Sequence, residues 1–164
     1  MAATVLDNRL PSEFQKAAFM CYMTVLSTTS DADLAVGNSE TVQFSRELPG
    51  VPEETYLRFK NKWYVGSNSG CSCEFRHLLV ASVELGFGPP EDWFPEAPSD
   101  VEATRHVIRS IRALVETGEQ VDCVDAWAHG QESADPLAGD IEVDLPQVSD
   151  EAFRFFESHR FTFR

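Results

Sequence analysis

Between residues 139 and 145 the chain alternates Ile141, Val143 and Leu145 with Asp140, Glu142 and Asp144. A period of two predicts a strand with one face in the core and the other in water. Residues 160–164 repeat the pattern with Phe161 and Phe163. Residues 19–27 are more uniformly apolar and include the β-branched Thr24 and Val25, which predicts a buried strand. Residues 40–44, 62–65 and 120–127 read as further strands. The period changes over residues 100–117, where Val101, Ile108, Ile111 and Val115 recur at helical spacing. Ser99 and Glu102 have capping-box spacing before that run, and Gly118 stops it. Ser149 similarly predicts the cap of a short C-terminal helix, about 150–158. A capped helical turn is expected at residues 30–34.

Residues 74–87 fit two descriptions. As a strand they place Phe75, His77, Leu79, Ala81, Val83 and Leu85 on one face; as a helix they group Phe75, Leu78, Leu79 and Ser82, with Gly86 as the stop. Periodicity alone does not choose between them. The breaks between elements are clearer. Pro49, Gly50 and Pro52 mark a turn, residues 66–70 form a Gly/Ser/Asn loop, and residues 89–98 hold four prolines around Trp93 and Phe94. Residues 1–17 read as a loosely attached arm. Residues 18–164 read as a single α+β domain, a mostly antiparallel sheet packed against the long helix and the short C-terminal one. No repeat and no interdomain linker is visible.

At 164 residues and 43% hydrophobic content, the chain has one domain's length and enough apolar material for a core. Its formal net charge of −14 argues against a phosphate backbone or an anionic membrane as partner. No apolar run reaches the roughly 18 residues of a membrane-spanning helix. Residues 1–10 lack the basic start and apolar block of a secretory signal. The four cysteines, Cys21, Cys71, Cys73 and Cys123, are too sparse for a disulfide scaffold. A cytoplasmic protein with reduced thiols is therefore expected.

The charge is concentrated. Residues 77–153 carry 17 acids against Arg105, Arg109 and Arg112, a balance of −14, while the rest of the chain sums to zero. Such a segment serves solubility, or it is a surface shaped for a basic protein. The three arginines, spaced four and three apart, share one helix stripe. They read either as partners of Glu102, Glu116 and nearby acids or as an anion-binding site. Trp93 and Phe94, two large aromatics in an acidic Pro-rich loop, read as packing residues or as a partner-binding anchor.

Familiar catalytic patterns fail on inspection. Residues 66–70 place Asn68 where a nucleophile elbow needs Ser, no Lys follows Gly70 for a phosphate loop, and neither H-E-x-x-H nor G-x-G-x-x-G occurs. What remains is Cys71, Cys73 and His77, two thiols and an imidazole within seven residues, ligand types that suit zinc. In an extended chain Cys73 and His77 lie roughly 13 Å apart, too far to share one ion. In a helical turn they chelate. A further ligand would come from Cys21, Cys123, His106 or His129, although Cys21 and Cys123 sit in apolar strands and read first as core fillers. The alternatives are a reactive thiol and purely structural cysteines. The functional expectation is a small cytosolic, non-enzymatic binding or regulatory protein that contacts a partner through residues 77–153. The alternative is a thiol- or zinc-dependent activity centred on Cys71, Cys73 and His77.

Overall fold

The structure, a computed structural model, describes residues 20–164. The expected arm at 1–17 lies outside the described residues. Strands β1 (Cys21–Thr28), β2 (Val42–Ser45) and β3 (Asn61–Ser67) precede a two-residue strand β4 (His77–Leu78) and the long helix α1 (Pro98–Glu116). β5 (Val121–Ala128), β6 (Gly139–Val143), β7 (Phe155–Phe156) and β8 (His159–Phe163) follow. Six strands form one sheet in the order β2-β3-β1-β5-β8-β6. Every neighbouring pair is antiparallel except β6 and β8, which run parallel. β1 is central: Thr24 faces Val65 of β3 on one side and Asp125 of β5 on the other.

Side-chain alternation sends the two faces of the sheet into separate apolar clusters. Leu26, Trp63, Val65, Val121, Cys123, Phe161 and Phe163 meet α1 through Ala103, Val107, Ile108, Ile111 and Leu114. On the other face a smaller cluster of Val25, Val124 and Ala126 is covered by Val51 and Leu57.

α1 agrees with its hydrophobic period, and Ile108 and Ile111 are fully buried. Val101 and Val115 are half-buried at the margins of that face. The start of the helix differs from expectation. Ala97 is the cap, Pro98 occupies the first turn, and the Ser99 hydroxyl donates to the adjacent Asp100 carboxylate rather than capping. Proline suits that position because its missing N–H is one the helix would leave unpaired. At the other end Gly118, at φ 88°, closes the turn through its N–H to the Val115 carbonyl.

The expected C-terminal helix at about 150–158 does not form. Residues 149–152 make a turn, and the chain then runs extended through β7 into β8. Phe153, Phe155 and Phe156 are all buried, and tertiary pairing outweighs the local helix signal. β7 pairs in parallel with β4, His77 against Phe155 and Leu78 against Phe156. Ser158, at φ 58°, makes the tight reversal into β8. Residues 74–87 likewise adopt neither long form. They give β4 and then a 3-10 turn over Val80–Leu85 that ends at Gly86.

A buried clasp fixes the connection that follows. Glu96 accepts hydrogen bonds from Arg76 (Nε 2.8 Å, Nη2 2.6 Å) and from Arg154 (Nε 3.1 Å, Nη2 2.9 Å). The guanidiniums also donate to the carbonyls of Gly86, Gly88 and Pro89, which ties residues 86–96 to the chain around β4 and β7. Both arginines are almost completely buried.

Candidate metal centre

Beyond β3 the chain must reverse, and Gly70, at φ 84°, makes the reversal. The Cys71 carbonyl then accepts from the Ser67 N–H (2.6 Å) and the Ser67 hydroxyl (2.7 Å). Ser72 is fully buried and stitches this return to the sheet. Its N–H donates to the Tyr22 carbonyl (3.0 Å). Its hydroxyl accepts from the Thr24 N–H (2.8 Å) and donates to the Val65 carbonyl (2.7 Å). With Ser72 held inward, Cys71 and Cys73 on either side of it come to the outer side of the loop, beside the first residue of β1. That residue is Cys21, and the sulfur atoms of Cys21, Cys71 and Cys73 lie within 4.8 Å of one another.

The three thiols are chemically unequal. Burial pushes the Cys71 thiol up, but hydrogen bonds from Cys73 and Ser69 outweigh it and hold Cys71 below the ordinary thiol value. The Ser69 hydroxyl lies 3.2 Å from its sulfur, and the Cys73 backbone N–H donates to it at 3.3 Å. Burial and its hydrogen bond to Cys71 push Cys73 up to about 12. Burial raises Cys21 as well. The cluster thus favours one anion on Cys71, with the neighbouring thiols as donors. Cys123, by contrast, is sealed in the core and raised far above the ordinary value by burial.

His77 does not join the thiols. Its Nδ1 lies 2.7 Å from the Asp125 carboxylate and its Nε2 lies 2.6 Å from the Ser72 carbonyl. Both partners are acceptors, so both ring nitrogens donate, and neither has a lone pair for a metal. Burial would lower its pKa, but the Asp125 carboxylate outweighs burial and raises it. The ring stacks on Tyr22 at 3.9 Å between centroids. Asp125 in turn accepts from the Thr24 hydroxyl (3.0 Å).

The arginine stripe of α1 faces carboxylates of the chain itself. Arg105 pairs with Glu102 (3.0 Å) and Glu151 (2.7 Å), and Arg109 and Arg112 pair with Asp150 (3.2 and 2.8 Å). Acids of the 77–153 segment are similarly engaged from outside it. Glu96 is held by Arg76 and Arg154, Asp140 by Arg160, and Glu142 by Arg164. Asp122 and Asp125 are buried within β5. Trp93 stands exposed, while Phe94 is half-buried against the main core and near the Arg154 guanidinium.

The sequence marks Cys21 only as one of four possible further ligands, and first as a core filler, because it lies in an apolar strand 50 positions from Cys71. The available signal was a Cys-x-Cys around a small polar residue, on a loop that returns to a strand opening with cysteine. Among the described residues, no helix is long and apolar enough to cross a membrane. No family model matches the chain, and no curated protein and no solved structure matches it.

Proposed function

We propose that this protein binds one thiophilic metal ion, zinc or copper(I), on the thiolates of Cys21, Cys71 and Cys73. The observation that carries this reading is the convergence of three sulfurs from two distant segments, all within 4.8 Å of one another. A zinc–sulfur bond is about 2.3 Å, which sets tetrahedral sulfurs about 3.8 Å apart, so closure needs shifts of only about 1 Å. Soft thiolates select these ions over magnesium or calcium. The Ser69 hydroxyl and the Cys73 N–H at the Cys71 sulfur provide the outer contacts that orient a ligand and stabilise its anionic form. Three protein ligands leave a coordination position for water or an exogenous group.

Cobalt(II) and zinc titration of the reduced full-length protein tests the reading. One equivalent of cobalt should bind with a thiolate-to-cobalt charge-transfer band, zinc should displace it, and a chelator should lower Tm. Cys21→Ser, Cys71→Ser and Cys73→Ser should each lose the band, while Cys123→Ala keeps it. Full cobalt affinity in Cys21→Ser, or no metal bound by the folded wild type, would refute the proposal.

A further inference from the structure

We propose that the surface formed by the Val80–Leu85 turn and the Trp93–Phe94 loop docks a basic, amphipathic protein segment that inserts an apolar side chain among its lysines or arginines. This inference is independent of the metal reading. Leu79, Val80 and Trp93 are respectively 54%, 47% and 68% exposed, a concentration of large apolar side chains in water. Beside Trp93 opens a cavity of about 420 Å³ lined by Ala81, Ser82, Glu84, Leu85, Trp93 and Phe94. Its volume accommodates a large aliphatic or aromatic side chain.

The site is prepared in advance. The Gly86 and Pro89 carbonyls accept from Arg154, Gly88 accepts from Arg76, and Glu96 holds both guanidiniums. The loop that carries Trp93 is therefore anchored at both ends to buried charge, and docking has little ordering left to do. An exposed indole on a fixed loop is the kind of group that dominates binding energy.

Charge selects the occupant. Residues 77–104 contain six carboxylates and no Lys or Arg. Glu96 is taken by the clasp and Glu102 by Arg105. Glu84 lines the cavity, and Glu91 accepts from the Trp93 indole N–H. Glu84, Glu91 and Asp92 are all exposed. A second copy of the chain would set these exposed acids against themselves, and an acidic peptide or an anionic lipid surface would be repelled in the same way. A basic segment with an apolar anchor matches both parts of the surface.

The test uses the full chain in chelator, with a synthetic lysine–leucine amphipathic peptide as probe and its glutamate–leucine counterpart as control. Titrations are followed by calorimetry and by backbone NMR. The expected result is a single site, with shifts confined to residues 79–85 and 91–94 and affinity that falls as salt rises. Trp93→Ala should weaken binding about tenfold or more, and the triple variant E84K/E91K/D92K should abolish it. Wild-type affinity in Trp93→Ala would overturn the proposal, as would shifts outside the patch or equal binding of the glutamate peptide. Concentration-dependent dimerisation that Trp93→Ala abolishes would also overturn it, by making a second copy the occupant.

Discussion

Glu96→Gln isolates electrostatics from packing, because the amide fills the space of the carboxylate. In the wild type one carboxylate receives two guanidinium forks at 2.6–3.1 Å, at a place where Arg76 and Arg154 are respectively 2% and 0% exposed. Removing the anion leaves two buried cations facing each other. Stripping one partner from a buried ionic network costs about 3–5 kcal/mol. For a chain of this size that lowers Tm by roughly 6–20 °C. Arg154→Met makes the opposite change. It deletes a large buried polar group but leaves a neutral Arg76–Glu96 pair, and the freed Gly86 and Pro89 carbonyls lie at the loop. Its expected cost is about 1–3 kcal/mol. Urea unfolding at pH 7, followed by tryptophan fluorescence and far-UV circular dichroism, ranks the two variants. Burial alone would raise the Glu96 pKa, but the forks from Arg76 and Arg154 outweigh it and hold it below 4.5. The stabilisation from the carboxylate is therefore present above about pH 4.5 and fades as pH falls through the depressed folded value. The gap between Glu96→Gln and wild type should narrow over the same range. If Arg154→Met proves more damaging than Glu96→Gln at pH 7, volume governs the clasp and the electrostatic reasoning fails.

Two further expectations concern titratable groups around β1. His77 has a raised pKa, so its ion pair with Asp125 contributes fully below the unfolded value of about 6.5 and is lost as pH rises through the folded value. Wild-type stability should accordingly decline as pH rises above about 6.5, and the His77 ring protons should titrate by NMR with a midpoint above that value; a midpoint at or below it would refute the buried imidazolium. Cys71, partly exposed and with a lowered pKa, should alkylate first with iodoacetamide in metal-free, non-denatured protein, Cys21 and Cys73 more slowly and Cys123 last. Peptide mass spectrometry after timed quenching gives the order, and equal rates for Cys71 and Cys73 would contradict the proposed division of charge between them.

Most strands and the long helix were legible because their signals are local. Ile141 and Val143 alternate with carboxylates, and Ile108 and Ile111 recur at helical spacing, whatever the rest of the chain does. Elements decided by distant partners were not legible. Phe155 and Phe156 follow a plausible cap at Ser149, yet they pair with His77 and Leu78, almost 80 positions earlier. The candidate site divides the same way. Cys71 and Cys73 announced themselves by proximity in sequence. Cys21 needed the register that sets Thr24 beside Val65, together with the hydroxyl of Ser72, to bring it near them. His77 shared the cysteines' neighbourhood in sequence, but the buried Asp125 of β5 claims it, which no spacing rule anticipates.

The central position of β1 bears on the order of events while the chain is being made. All three thiols belong to the segment that ends at Cys73, and the β1–β3 pairing beside them is complete by Ser67. β5, the other neighbour of β1, brings Asp125 to His77 only after some 50 more residues have emerged. At typical synthesis rates that interval is roughly 3–10 s. If β1 and β3 pair as soon as both are made, the sulfur cluster forms before His77 acquires its counter-ion, and an ion captured then would stabilise β1 and β3 before β5 exists.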